Sequence, residues 1–545
     1  MRVIQILMAI AILFAFASAP AELLAKATAN KTLNATATTK PGETLFVPKG
    51  RANMTITGGN GNQITAKLQI EVTGADEKML EAYLAKVELS IRPYRGGNRL
   101  DVVLPDFQNV NQSVIKILDF VWGGDDRNIS SSVDLEIEVP ESQALELVNA
   151  YGDILISNVT GVLQVENTSG EVRIEKCGGE LDLTNRYALS EVVQFGGPVT
   201  IQTESGEVIA KDIQGQTQID NSYKAVEFER ITGDLQIRSQ SGDVTGEVVT
   251  GNCLIHASYK TIDVTDIRGQ LDIDSQSCEV SALKIGLGAN IQASYKPVTI
   301  DQVGGDLLVS GQSCAVSVSN SHGTVKIKSS YKDIQVENVA GELEIDGDSS
   351  PVMVQNAKKA ISIATSYKKV TVLNAGEGLE IRANSSEIDV REVQQDVRIL
   401  TSYKPILVNS VGGDVEIDGS SCSVSLNEIG GDIDVKNSYK YVIIKGSSGS
   451  IAVQGDGSPI EVSEINHLPK NGEINLFTSY KQITLGLPAD AKVRILAPAK
   501  HNEINSDFPI YFNRTSGEDV VIETGKGETT IRLETSGRID IRQEN

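Results

Sequence analysis

Four histidines, five cysteines and 72 acidic residues are the side chains in this 545-residue chain best able to do chemistry. Spacing decides what each can do. His256, His322, His467 and His501 share no ligand-like spacing, so no zinc-type set is expected and no metal or cofactor is assigned. Asp243, Glu279 and Glu387 fall in one register row of a repeat, which reads as a solvated face. No glycine-rich loop leads into a helix, so a phosphate cradle is not expected. Cys177, Cys253, Cys278, Cys314 and Cys422 are spaced for neither zinc nor a disulfide framework. All five are expected to be free thiols, with no disulfides.

The residues that do recur form a tripeptide, Ser-Tyr-Lys, first complete at Ser222-Tyr223-Lys224. Its tyrosine returns every 36 residues at Tyr151, Tyr187, Tyr223, Tyr259, Tyr295, Tyr331, Tyr367, Tyr403 and Tyr439, and after 41 more at Tyr480. The lysine row is Lys224, Lys260, Lys296, Lys332, Lys368, Lys404, Lys440 and Lys481. A spacing of this regularity signals a repeat architecture.

Aligning Ser222–Ser239 with Gln240–Ala257 reduces the repeat to 18 residues, the 36 being a doubling. Counting Ser222 as place 1, apolar residues fall at places 5, 7, 10, 14 and 16: Val226, Phe228, Ile231, Leu235 and Ile237. The steps of two are strand periodicity. Glycine dominates place 12, as at Gly161, Gly179, Gly233, Gly305 and Gly431, and is read as permitting a turn conformation closed to other residues. So short a unit cannot bury its own apolar side, but stacked units can. The expected fold is all-β: a parallel β-helix (β-solenoid) of 18-residue coils about 4.8 Å apart, a rod of about 80–90 Å. A right-handed coil is expected. Uneven apolar spacing argues against a hexapeptide helix.

This register frames the tripeptide. If the strand continues from place 16, alternation sends place 2 inward. The tyrosines are then a partly buried corner stack beside small residues at place 18 (Asn221, Ser239, Ala257, Ser275, Ala293). Eight lysines cannot line a core, so the chain must turn at place 4, where Pro297, Pro351, Pro405 and Pro459 stand. The lysine row is expected outside. It either neutralises nearby carboxylates or offers a cationic edge, stepped by about 9.6 Å, to an acidic polymer. Cys177 and Cys253 occupy core places 10 and 14; Cys278, Cys314 and Cys422 share place 3.

Residues 1–21 read as a signal peptide: Arg2, an apolar run Val3–Ala17, and small residues up to a cleavage point near Ala21. An uncleaved anchor is the alternative. Residues 28–131 read as a strand-rich capping domain, with strands at Thr44–Val47, Met54–Ile56, Ile64–Val72 and Val87–Ile91 and a helix over Ala75–Lys86. A boundary is expected near Asp125-Asp126-Arg127. Residues 132–485 form the solenoid and 486–545 the last coils and cap. After signal cleavage no membrane span is expected. A formal charge of −23 opposes nucleic acid and anionic membranes as partners.

Leu135-Glu136-Ile137-Glu138-Val139-Pro140 leads into Tyr151-Gly152-Asp153-Ile154. Then come Thr168-Ser169-Gly170-Glu171-Val172, Glu204-Ser205-Gly206-Glu207-Val208 and Gln240-Ser241-Gly242-Asp243-Val244. The ending carries Asn505-Ser506-Asp507-Phe508-Pro509 and Leu533-Glu534-Thr535-Ser536-Gly537-Arg538-Ile539-Asp540-Ile541. Over roughly residues 135–541 this resembles the bacterial putative-adhesin β-solenoid family, whose members are exported domains without assigned catalytic residues. The resemblance implies an exported protein, in the periplasm, at the cell surface or secreted. It implies adhesion to a glycan, envelope polymer or surface protein. The chain departs from the pattern where Ser-Gly becomes Ser277-Cys278, Ser313-Cys314, Ser349-Ser350, Ser385-Ser386 and Ser421-Cys422. Other parallel β-helices are polysaccharide-active enzymes, but their clefts are built by long loops, and the run of units here carries no insertion. A non-catalytic adhesin or envelope scaffold is the leading expectation; the alternatives are such an enzyme and a purely architectural spacer.

Overall fold

The computed structural model describes residues 26–74, 77–105, 130–468, 470, 472–498, 503–509, 511–512, 519–524 and 527–544. The expected signal peptide, the boundary near Asp125 and His501 lie outside them. The chain divides into two compact units, residues 1–196 and 197–545.

Unit 1 opens with β1 (Ala27–Thr38), β2 (Thr44–Gly50), β3 (Asn53–Gly59) and β4 (Gln63–Gly74). Helix α1 (Glu77–Ala85) follows, then β5 (Glu88–Tyr94), β6 (Gly97–Val103), β7 (Ser130–Pro140), β8 (Ala144–Tyr151) and β9 (Ile154–Ser157). β1, with alternating Ala, Asn and Thr, lacks the apolar pattern that reveals a strand. It forms because β4 supplies an antiparallel ladder along its whole length. β4 also pairs antiparallel with β7. Helix α1 buries Leu80, Tyr83 and Leu84.

The first coil begins earlier than the repeat suggests. β2 runs parallel to β8, and β3 runs parallel to β9, so residues 44–59 already make a coil. Its continuation is β8–β9, with α1 and β4–β7 between them in sequence. The corner at Ala52 lies against Gly152, where an added Cβ would meet the Ala52 carbonyl at 2.4 Å.

In unit 2 each coil gives one strand to each of two parallel sheets. Val226–Ile231 pairs with Val244–Val249, and Leu235–Ser239 with Cys253–Ala257, each residue meeting the one 18 later. The expected core places are the buried ones. Val226, Val244, Ile262, Val280, Val298 and Val316 stack at place 5, each no more than 2% exposed. β-Branched residues suit such twice-covered strands.

The change of phase between places 7 and 10 has its own device. Strict alternation would bury place 9. Instead place 9 is left-handed in every coil from Asn158 to Glu464, with φ of 52° at Lys176 and 61° at Val248, and the inversion brings place 10 inside. Its occupants include Asn, Lys, Gln, Asp, Arg, Val, Glu and Ser.

Glycine at place 12 serves a different end from the expected one. Most of this column is not left-handed; Gly179 (φ 79°) and Gly233 (φ 154°) are. What the column requires is closeness. A Cβ at Gly269, Gly341 or Gly449 would meet the carbonyl oxygen of the preceding coil's glycine at 2.2–2.3 Å. Beside it, place-13 carboxylates cap the next coil: Asp396, Asp414 and Asp432 accept the N–H of Asp414, Asp432 and Ser450 at 2.7–2.9 Å.

The last strands do not stack in chain order. Thr529–Glu534 pairs on one side with Glu473–Thr478 and on the other with Val493–Pro498. Ile539–Glu544 pairs with Ile483–Pro488 and with Ile504–Ser506. Residues 529–544 are thus a coil inserted between two that precede it in sequence. The expected covering of the last coil is more exactly an interleaving.

All five cysteines are buried free thiols. Burial pushes the Cys253 thiol up to about 12, with Asp272 adding to the shift. An unfolded thiol ionises near its ordinary value, so this group favours unfolding as pH rises from there towards 12. A disulfide-exchange reagent at neutral pH is expected to titrate no thiol in the native chain and five after denaturation. Rapid native labelling of Cys278, Cys314 or Cys422 would contradict their inward placement.

Candidate functional site

Two kinds of corner alternate at places 1–4. In coils carrying serine at place 2, the next residue turns inside: Cys278, Cys314, Ser350, Ser386 and Cys422 are all fully buried. At one of these the Ser350 N–H donates to the Gly347 carbonyl at 3.0 Å, a reverse turn with Ser349 left-handed at φ 55°.

The tyrosine corners differ. The N–H groups of Lys332, Lys368, Lys404 and Lys440 donate to the carbonyls of Ser330, Ser366, Ser402 and Ser438, two residues back, at 2.8–2.9 Å. The tyrosine between, with φ of 65°, 62°, 65° and 63° in turn, is the centre of a γ-turn, a rare and strained arrangement. A left-handed non-glycine residue costs on the order of 1–3 kcal/mol. The serine corners bear it too, with φ of 55–59° at Ser313, Ser349, Ser385 and Ser421, so left-handedness at place 2 belongs to both kinds of corner and only the γ-turn hydrogen bond sets the tyrosine ones apart. At these corners tyrosine and lysine both leave outward.

The partly buried tyrosine stack is therefore corrected. Tyr151, Tyr187, Tyr223, Tyr259, Tyr295, Tyr331, Tyr367, Tyr403, Tyr439 and Tyr480 are all exposed, from 52% at Tyr480 to 67% at Tyr403. The alternation argument assumed an extended strand through place 2, and the backbone inverts there. At Tyr223 the corner is organised differently: buried Asn221 donates from its amide to the Lys224 and Gly206 carbonyls at 2.8 and 3.2 Å. Tyrosine and lysine are exposed there too.

The lysines lie outside, as expected: Lys224, Lys260, Lys296, Lys332, Lys368, Lys404, Lys440 and Lys481 are exposed. Among the described residues none of their ammonium groups makes an ion pair or hydrogen bond; that of Lys481 sits 5.2 Å from the centre of the Tyr480 ring. The carboxylates find other cations. Glu387 pairs with Lys369 at 2.9 Å, Glu344 with Lys326 at 2.8 Å, and Glu377 with Lys359 at 2.7 Å. Arg230 pairs with Asp212, and its hydrogen bond holds that carboxyl below its ordinary range. The place-4 row is not idle either: Asp243 accepts the Thr261 N–H at 3.0 Å. Within unit 2 the site is thus a row of eight solvent-facing phenol rings, Tyr223 to Tyr480, each followed by an ammonium group without a carboxylate partner among the described residues; Gly152 and Ala188 follow Tyr151 and Tyr187.

His256 lies 3.6 Å from Asp274, both exposed. Among the described residues no three His, Cys, Asp or Glu side chains converge to hold a metal ion, and no helix is long and apolar enough to cross a membrane.

No protein-family model and no curated protein matches the chain. Among solved structures, one described as a putative cell adhesion protein from Clostridium sporogenes is similar at 8% identity and a TM-score of 0.17. The match covers 47% of this chain and 99% of that one.

Proposed function

We propose that the chain is an exported, non-catalytic β-solenoid that holds an acidic polymer along its tyrosine–lysine corners, as an adhesin or cell-envelope scaffold. The observation that carries this reading is the row of exposed tyrosines from Tyr223 to Tyr480, each followed by an exposed lysine whose ammonium group has no carboxylate partner among the described residues. Serine closes the alternate coils at the same place, so closure does not require tyrosine there, and a ring with an unpaired cation faces solvent at every second coil. The step between corners is about 9.6 Å. A polymer with regularly spaced carboxylate or phosphate groups would meet the same cation and ring at each step. Single contacts of this kind are weak, and many in register give avidity. The tyrosine ring offers a face to the polymer's apolar surface while the lysine offers charge.

The test uses the full chain and polygalacturonate. The expected result is binding that weakens steeply with salt, since exposed charges are screened. Reversing Lys296, Lys332, Lys368 and Lys404 to Glu is expected to lower affinity by at least about a hundredfold, given the loss of several linked contacts, with the thermal transition unchanged. Undiminished binding by the four-fold variant would overturn the proposal, as would turnover of the polymer that depends on one carboxylate.

A further inference from the structure

A second exposed feature of unit 2 is independent of the tyrosine–lysine corners. Two open grooves lie on the outside of the left-handed place-9 bend, of about 610 and 730 Å³. Both are lined by Asn374 and Gln394, so they form one channel running across coils from Asn320 to Asn466. Place 11 leaves the space at five coils, where it is Ala340, Gly376, Gly412, Gly430 and Ser448; His322, Lys358, Gln394 and Asn466 hold it in the others.

Four asparagines one coil apart form the wall at one end. Asn338 donates to Asn320, Asn356 to Asn338 and Asn374 to Asn356, each amide to amide at 2.9–3.0 Å. The ladder is anchored by Asp301, which accepts the Asn320 amide at 2.6 Å and the Ser319 hydroxyl at 2.7 Å. The backbone does not demand asparagine here, because Lys176, Arg230, Lys284 and Glu392 hold the same left-handed conformation. A carboxamide has two N–H donors. The ladder uses one from each of Asn338, Asn356 and Asn374, and the second has no protein partner among the described residues. The result is a fixed row of uncharged donors, stepped by the coil spacing of about 4.8 Å.

We infer that this channel binds a neutral, linear, hydroxyl-rich glycan, one sugar ring per coil. Spacing selects this occupant. A coil step is close to the advance per ring in an extended 1,4-linked chain, so each ring can reach one amide, with neighbouring rings presenting opposite faces. An extended peptide advances about 3.3 Å per residue and falls out of register within a few coils. Charge disfavours polyanions: three carboxylates, Glu392, Glu428 and Glu464, line the channel against one ammonium group, that of Lys358. Because the amides are already held by the ladder, little side-chain freedom is lost on binding.

The experiment titrates cellohexaose, mannohexaose and chitohexaose into the full chain, with saturation-transfer NMR and calorimetry. Salt at about 0.5 M silences contacts that depend on exposed charge. Binding of at least one hexasaccharide is expected, stronger than that of its trisaccharide. The double change Asn338→Asp and Asn356→Asp places negative charge in the ladder and removes two donors. It is expected to weaken binding at least about tenfold. Ala340→Trp, which fills the channel and spares the ladder, is expected to abolish it. The four-fold lysine reversal is expected to leave hexasaccharide binding unchanged, which separates this site from the tyrosine–lysine corners. The inference is overturned if none of the three sugars binds, if both channel variants bind as the parent does, or if a neutral Gly-Ser peptide displaces the sugar.

Discussion

Removing residues 529–545 is expected to strip the end of unit 2 of its order well beyond the deleted segment. Thr529–Glu534 lies between Glu473–Thr478 and Val493–Pro498, and its loss opens one edge of each, leaving them, among the described residues, only Ile451–Asp456 and Asp519–Glu523 as neighbours. Ile483–Pro488 loses Ile539–Glu544 as well. Ile531, Leu533, Ile539 and Ile541 are each no more than 1% exposed, and each contributes about 1.5–3 kcal/mol by its burial. Asp540 is also buried in this coil. Burial raises its carboxyl, but hydrogen bonds from Arg538 and Asn505 outweigh that and leave it below the ordinary range. The Glu544 carboxylate accepts the Glu464 N–H at 2.7 Å. Once the coil is gone, two strand edges and the apolar side chains beneath them face water, a template for association between chains. Hydrogen exchange should show residues 473–498 losing protection while residues 298–442 keep theirs, and trypsin should cut early at Lys481, Lys492 and Arg494. Undisturbed protection of 473–498 would show that the two flanking coils re-close without the inserted one.

The second large effect is expected at Phe228. It fills place 7 at 1% exposure. Its register neighbours are Ala210 in one coil and Gly246 in the next, so one large ring occupies space that three places share. A Cβ on Gly246 would come within 2.5 Å of that ring. Phe228→Ala leaves three small residues in a row. The coils cannot close on the gap, because the ladders on either side fix their separation. The loss is therefore expected in the upper part of the usual range for such a truncation, about 3–5 kcal/mol. Val372→Ala is the comparison, since Val354 and Val390 flank it and partly fill the space. Denaturant unfolding that shows no greater loss at Phe228 than at Val372 would mean that the column relaxes along the axis.

The coil itself was legible because its signal is local and repeated. Val226, Phe228, Leu235 and Ile237 declare their strands by alternation, and the step of 18 declares the register. The place-9 inversion was not legible because a left-handed backbone leaves no common side chain at Asp212, Arg230, Val248 and Lys284; only the odd interval from place 7 to place 10 hints at it. The glycine column was found, yet its cause was misread, since closeness between coils and freedom of φ choose the same residue. The lysines were placed outside by a charge argument that does not depend on backbone detail. The tyrosines were placed inward by an alternation argument that does, and it failed because the chain turns at place 2. The asparagine row was present as letters at Asn320, Asn338, Asn356 and Asn374, but its meaning needed the groove beside it. The coil at residues 44–59 was hidden because its continuation begins at Ala144, after a long excursion.

The interleaved ending sets an order of events during synthesis. Glu473–Thr478 and Val493–Pro498 leave the ribosome before Thr529–Glu534, yet the edge that each turns towards it has no partner until that segment arrives. At roughly 5–20 residues per second, the fifty or so residues between them mean several seconds of waiting. Through that interval the earlier coils can close one upon another in the direction of emergence, while this last pair must stay parted by the thickness of one coil. If Val493–Pro498 docks directly on Glu473–Thr478, the later segment is excluded and must displace it. The end of unit 2 is thus the place where folding cannot simply follow translation, and where a factor that holds strands apart would act.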